Sequence, residues 1–177
     1  MKKMMSRTLG VVTALALALP AFAQETSDNR VLANTDWSVF VEDNPQECWG
    51  VSKPKESSLR DSSGNPTQGR RGEILLFVFY RPGASVQGQV AFTGGYPFAG
   101  GSTVSMDISG TTFQLFTDGE WAWPATPEDD ARIVAAMKRG ANAVLVGRSG
   151  RGNVTTDSFS LLGFSAAVEE AAKRCAG

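Results

Sequence analysis

Ile74-Leu75-Leu76-Phe77-Val78-Phe79-Tyr80, closed by Arg81-Pro82-Gly83, is an apolar run in the middle of a 177-residue chain. Seven continuous aliphatic and aromatic residues ended by turn formers predict a central buried strand. The segments around it read the same way. Toward the N-terminus, Trp37 to Val41 begins with period-2 alternation and Cys48 to Ser52 is a second short run. Toward the C-terminus, Val86 to Phe92 and Val104 to Ile108 alternate, and Thr111 to Phe116 follows the Ser109-Gly110 turn. Ala143 to Val146 and Val154 to Phe159 add two more strands, and glycine pairs at 94–95 and 100–101 punctuate the series. Residues 55–72 are polar and rich in Ser, Gly and Arg, with Asn65-Pro66 as a turn signal, so they are expected to form an exposed hairpin tip or loop.

Two segments carry helix signals instead. Thr126-Pro127-Glu128-Asp129 combines an N-cap, a proline at the first helical position and acids at the positive end of the dipole. Ile133, Val134 and Met137 give that helix an apolar stripe, and Gly140 is its expected stop. A second helix is predicted over about residues 163–175. Phe164, Ala167, Val168, Ala171, Ala172 and Cys175 share one of its faces, and Glu169, Glu170, Lys173 and Arg174 lie mostly opposite. The expected fold is mainly β with two α-helices: a single-domain antiparallel β-sandwich, with a flattened barrel as the alternative.

The N-terminus reads as an export signal. Lys2, Lys3 and Arg7 precede the apolar run Leu9 to Leu19, Pro20 breaks it, and Ala21-Phe22-Ala23 is a small-x-small cleavage pattern. Cleavage is expected between Ala23 and Gln24. The apolar core is roughly half of the ~20 residues that a spanning helix needs. The domain plan is then a signal peptide at 1–23, a flexible leader at 24–34 and a β-rich domain at 35–177. The signal peptide holds three of the 17 basic residues and none of the 18 acidic ones, which leaves the mature chain at a net charge of −4. Such a balance lacks the basic surplus of a nucleic-acid or anionic-membrane binder.

The chain has two cysteines, Cys48 and Cys175, and no histidine. In an oxidising compartment an even count favours a disulfide, and two cysteines allow one intramolecular pairing; two buried free thiols are the alternative. Without histidine, Ser-His-Asp and Cys-His catalysis are excluded and the commonest metal ligand is missing. No cofactor or metal is implied. Gly147-Arg148-Ser149-Gly150-Arg151-Gly152 is neither a nucleophile elbow, because position 151 is Arg, nor a phosphate loop. It reads as a hairpin turn whose amides, with Arg148 and Arg151, could face an anion. Glu128-Asp129-Asp130 is explained by the helix dipole better than by a cation. Trp121-Ala122-Trp123-Pro124 leads into the first helix; its two indoles either cap the core or, if exposed, stack on sugars or anchor a protein. Trp121, Trp123, Arg148 and Arg151 are therefore the candidate ligand surface. Ser52-Lys53 is a poor catalytic dyad, since adjacent strand residues point to opposite faces. Asp107, Asp118, Glu120 and Asp157 are possible carboxylates for glycoside chemistry, but nothing in the sequence pairs them.

Taken in order, Cys48-Trp49-Gly50-Val51-Ser52-Lys53-Pro54, Arg81-Pro82-Gly83, Gly95-Tyr96-Pro97-Phe98, Ala122-Trp123, Ala136-Met137-Lys138-Arg139-Gly140, Ser149-Gly150-Arg151-Gly152 and Thr156 to Phe164 resemble one family. Together with Ala166-Ala167 and Cys175 they look like the invasion-associated locus B (IalB) family of alphaproteobacteria, over Trp37 to Cys175. The resemblance implies a bacterial periplasmic or envelope protein without catalytic residues, and it fits a Cys48–Cys175 disulfide. Pathogenic members are associated with host-cell invasion, but the family is also widespread in free-living bacteria. The expectation is an exported, non-enzymatic envelope protein that binds another envelope protein, a glycan or a small anion. The alternatives are a carboxylate hydrolase of envelope polymers and a purely structural envelope protein.

Overall fold

The computed structural model describes residues 29–176. The expected signal peptide, its cleavage site at Ala23–Gln24 and residues 24–28 of the leader lie outside them. In chain order the strands are β1 (Arg30–Asn34), β2 (Trp37–Asp43), β3 (Gln46–Ser52), β4 (Glu56–Arg60), β5 (Leu75–Arg81), β6 (Val86–Thr93), β7 (Thr103–Ile108), β8 (Thr111–Asp118) and β9 (Trp121–Trp123). Helix α1 (Pro127–Met137), β10 (Asn142–Arg148), β11 (Val154–Ser160) and helix α2 (Phe164–Arg174) complete the chain.

All strands join one antiparallel sheet in the order β1-β2-β3-β5-β6-β9-β8-β7-β10-β11-β4. The sheet is not closed, but it bends back on itself. Phe92 of β6 meets Phe159 of β11 edge-on at 6.1 Å between ring centroids. The Trp37 indole N–H of β2 donates to the Ser160 carbonyl of β11 at 3.0 Å. Both contacts join strands far apart in the sheet order, so the two halves face each other across one core, as a sandwich or flattened barrel does. The expected mainly-β fold with two helices is the one observed.

Strand β5 shows what holds the core. Leu76 and Val78 are fully buried, while Phe77 and Phe79 point to the opposite face by the period-2 rule. The run is continuous because both faces are apolar, yet only one of them faces the packed interior.

Helix α2 covers the inner face of β2 and β3. Phe164, Ala167, Val168 and Ala171 are buried, and Phe164 packs edge-on to Trp37 at 4.8 Å. Gly50 lies directly beneath the helix, where a Cβ would sit in ordinary contact with Ala167 at 3.8 Å. The Cys48–Cys175 disulfide, with Cα atoms 5.9 Å apart, fastens the end of α2 to β3. Helix α1 starts as expected, with the Thr126 hydroxyl accepting the Asp129 N–H.

Three expectations need correction. Residues 30–34 are not a loose leader but the edge strand β1, whose ladder to β2 asks for backbone groups rather than apolar side chains, with Leu32 packed on the core. Residues 56–60, placed in an exposed loop, form β4 and pair with β11. Gly140 is not the stop of α1, which ends with Lys138 as its C-cap. Its smallness serves packing instead, since a Cβ there would lie 2.7 Å from Ile108.

Candidate functional site

The outward face of β5 continues across its neighbours. The register sets Phe40 of β2 opposite Trp49 of β3, and Trp49 opposite Phe79 of β5. All three occupy the alternate positions that point away from α2. Phe40 and Trp49 stack at 5.6 Å and 10°, and Trp49 meets Phe79 at 6.3 Å. Phe79 stacks on Phe77 at 5.0 Å and 13°. Phe77 then reaches Trp121 of β9 at 5.7 Å across β6, where the residue opposite Phe77 is only Ala91. Five rings thus form a ladder over five neighbouring strands, about 20 Å at the usual strand spacing.

At ring separations of 5.0 and 5.6 Å the near-parallel pairs are offset stacks rather than rings lying side by side. Each ring of these pairs has one face against its partner. Arg81 closes one flank, with its guanidinium 4.3 Å above Phe79 and paired to Glu47 at 2.8 Å. Trp121 remains 39% exposed, and a shallow hollow of about 260 Å³ opens between Trp49, Phe79 and Trp121, with Glu42 on its rim. Glu42 and Asp43 are exposed, which makes the β2–β3 end of the ladder acidic.

The four residues singled out from sequence fall in four separate places. Trp121 is the last ring of the ladder. Trp123 lies two residues along β9 on the same face, opposite Phe116, in a separate hollow of about 340 Å³ that also reaches Asp130. Arg148 is exposed at the end of β10. Arg151 is exposed in the β10–β11 turn and lines a third hollow. That turn is a hairpin whose amides are largely engaged: Ser149 N–H on Asn153 O, Gly150 N–H on Pro97 O and Gly152 N–H on Ser149 O. Trp121 to Trp123 is itself a strand, not a linker, and sends Ala122 into the core.

The sheet interior holds a polar centre. Asp157 of β11 is fully buried and accepts a bidentate pair from Arg71, at 2.8 and 2.6 Å. Ser57 of β4 donates to the same carboxylate at 2.8 Å. Arg71 also donates from Nε to the Gly94 carbonyl at 2.9 Å, and its guanidinium stands over the Tyr96 ring at 5.2 Å. The Tyr96 hydroxyl shares a 2.6 Å hydrogen bond with Thr155, and burial pushes its pKa up. Asp157 is therefore a structural anchor for the segment between β4 and β5.

Asp130 is the second buried carboxyl. It accepts the Val90 N–H at 2.8 Å, a group on the part of β6 that β9 does not pair. Burial pushes its pKa up to about 6; the Val90 hydrogen bond opposes that rise and neighbouring Asp129 adds to it. Asp129 sits below the ordinary carboxylate range through its hydrogen bonds with Arg132 and Thr126. Asp107 accepts the Gly110 N–H in the β7–β8 turn, and Asp118 and Glu120 are exposed in the turn before β9. Ser52 and Lys53 diverge: the Ser52 hydroxyl donates to the Asp36 carbonyl, and Lys53 pairs with Glu73. Among the described residues no three His, Cys, Asp or Glu side chains gather as metal ligands, and no helix is long and apolar enough to cross a membrane.

Comparison of the chain with protein-family models, with curated proteins and with solved structures gives no match.

Phe40, Trp49, Phe77 and Phe79 were not among the residues that sequence reasoning selected. The signal for Phe40 and Trp49 was aromatic residues inside short strands, but only the register of three strands aligns them with Phe79. Arg71 and Asp157 stand 86 positions apart, and no local pattern links them.

Proposed function

We propose that this chain is an exported, non-enzymatic binding protein of the bacterial periplasm or envelope that docks a protein partner on the ladder Phe40–Trp49–Phe79–Phe77–Trp121. The observation that carries this reading is an aromatic ladder on the outward face of a sheet whose inward face already supplies the core. A contiguous apolar patch with a charged rim marks a docking surface, and Trp and Phe are the usual anchors of one. A sugar ring stacks on an aromatic face, and one face of each of Phe40, Trp49, Phe77 and Phe79 is already taken by a neighbouring ring. The acidic end at Glu42 and Asp43 suits a partner that presents apolar side chains beside a lysine or arginine.

The disulfide fits an oxidising compartment. With the signal-peptide pattern at 1–23, it supports export to the periplasm. The absence of histidine, the oxidised cysteines and the engagement of Asp157 by Arg71 support a non-enzymatic role. The resemblance to the invasion-associated locus B family supports the same compartment and leaves any part in host-cell invasion to experiment.

A photo-crosslinking residue placed at Phe79 in the producing cell, with a control at Lys173 on α2, tests the reading. One discrete adduct with an identified protein is expected from position 79 and not from 173, and Trp121→Ser should abolish it. An adduct of two copies of this chain, equal adducts from both positions, or none would overturn the proposed partner.

A further inference from the structure

The third hollow belongs to neither the ladder nor the core. It has a volume of about 330 Å³ and lies between the β4–β5 segment and the β10–β11 turn. Its chemistry is set by Arg70, Arg71 and Arg151, with Glu120, Asn153 and Tyr96 beside them. The chain reaches it through a close crossing of Gly72 and Gly95. Gly72 N–H donates to Gly95 O at 2.8 Å, and Gly95 has a φ of +73°. A Cβ on Gly95 would lie 2.6 Å from the Gly72 backbone, so only glycine lets Arg71 enter beside the hollow.

Arg71 is the fixed element. Its side chain is 11% exposed, and three of its five N–H groups are held by Gly94 and Asp157. Two N–H groups remain on a guanidinium that cannot swing away. Arg70 and Arg151 are exposed, and no carboxylate of the described residues lies within ion-pairing distance of either. Among the described residues Glu120, which faces the same hollow, has no cationic partner and the Asn153 side-chain amide makes no hydrogen bond. Asp157 compensates Arg71 from inside, so Arg70 and Arg151 outweigh Glu120 at the hollow itself.

We infer that this hollow binds an oxyanion-bearing polyol of about monosaccharide size. The carboxylate or phosphate of the ligand is held by Arg70 and Arg151, because guanidinium forks match planar oxyanions, and Arg71 adds its fixed charge and at most one outward N–H. Glu120 and Asn153 take hydroxyl groups, for which an acceptor and an amide are suited and a second cation is not. Leu59 and Pro97 supply the apolar wall against the sugar carbons. The site is independent of the ladder, and either can fail without the other.

The test is a titration of the folded chain, residues 24–177, followed by amide NMR and calorimetry. The probes are sodium glucuronate, glucose 6-phosphate, inorganic phosphate and glucose. Glucuronate or glucose 6-phosphate is expected to shift the amides of residues 69–71, 95–97 and 149–153, and glucose is not. Arg70→Gln with Arg151→Gln should weaken that binding at least about tenfold at an unchanged melting temperature. Raising ionic strength from about 0.01 M to about 0.15 M should weaken it as well. Glu120→Gln should weaken glucuronate while leaving inorganic phosphate as tight or tighter. The inference is overturned by no shift at about 10 mM of either sugar acid. Undiminished binding in the double variant, or phosphate binding as tightly as both sugar anions, overturns it too. Trp121→Ser should leave all these titrations unchanged, which separates them from the ladder.

Discussion

Two anchors fasten the irregular parts of this molecule to its sheet, and they use opposite chemistry. The end of α2 is tied to β3 by the Cys48–Cys175 bond, among the apolar residues of the core. The segment between β4 and β5 is tied to β11 by the Arg71–Asp157 ion pair, with Ser57 and the Gly94 carbonyl satisfying further groups. The first anchor works through the unfolded chain, whose freedom a cross-link over 127 positions restricts. The second works only in the folded state and only while both partners are present. A buried charge without its partner costs more than the pair contributes.

The comparison can be broken from the ionic side first. Arg71→Ala leaves Asp157 buried and unpaired and is expected to lower stability by about 3–5 kcal/mol. Replacing the pair with apolar residues, Arg71→Met with Asp157→Leu, should recover most of that loss. Chemical denaturation of the three proteins checks both statements, and a double variant as unstable as the single one would contradict this account of the anchor. From the covalent side, Cys48→Ser or Cys175→Ser should cost about 2–5 kcal/mol under oxidising conditions, with each variant matching the reduced wild type. Equal melting temperatures with and without reductant would refute it.

Asp130 sharpens the contrast, since it is a buried carboxyl that forms no ion pair among the described residues. Its folded pKa, about 6, lies above the 3.8 of an ordinary Asp. The folded state therefore holds the proton more tightly than the unfolded one, and the contribution of Asp130 to stability is lost as pH rises from about 3.8 to about 6. Asp130→Asn keeps an acceptor for the Val90 N–H and removes that dependence. The variant is expected to exceed wild type at pH 7 by at most about 3 kcal/mol, and the two should converge near pH 4. Parallel stability curves across that range would count against it. The smallest expected effect is Trp121→Ser, at about 1 kcal/mol or less, because its ring is partly exposed at the end of the ladder. A much larger loss would mean that the outward rings serve the fold rather than a partner.

Much of the fold was legible in the chain. The N-cap and proline of α1 are local signals, and Thr126 caps as its residue type dictates. The apolar phase of α2 turned Cys175 inward, toward the core residue Cys48. Alternation marked β6 and β7, and in β7 it follows burial, since Val104, Met106 and Ile108 face the core. The segments misread as leader and loop, β1 and β4, are the two edges of the sheet. Edge strands need little apolar surface, so their side chains carried no signal.

The site was legible only in fragments. Trp121 and Arg151 were selected as residue types able to bind, and the structure puts them in different hollows. The continuous run at 74–80 suggested burial on both faces, whereas one face belongs to the core and the other to the ladder. By itself the sequence determined both helices and the inner strands, the single possible cysteine pairing and the exclusion of histidine chemistry, because each of these depends on residue type and near neighbours. Only the tertiary structure decided that Phe40, Trp49, Phe77, Phe79 and Trp121 form one surface, and that Arg71 is spent on Asp157 while Arg70 and Arg151 are not. Those outcomes depend on strand register and on a sheet that bends back on itself, and both are set by contacts between residues far apart in the chain.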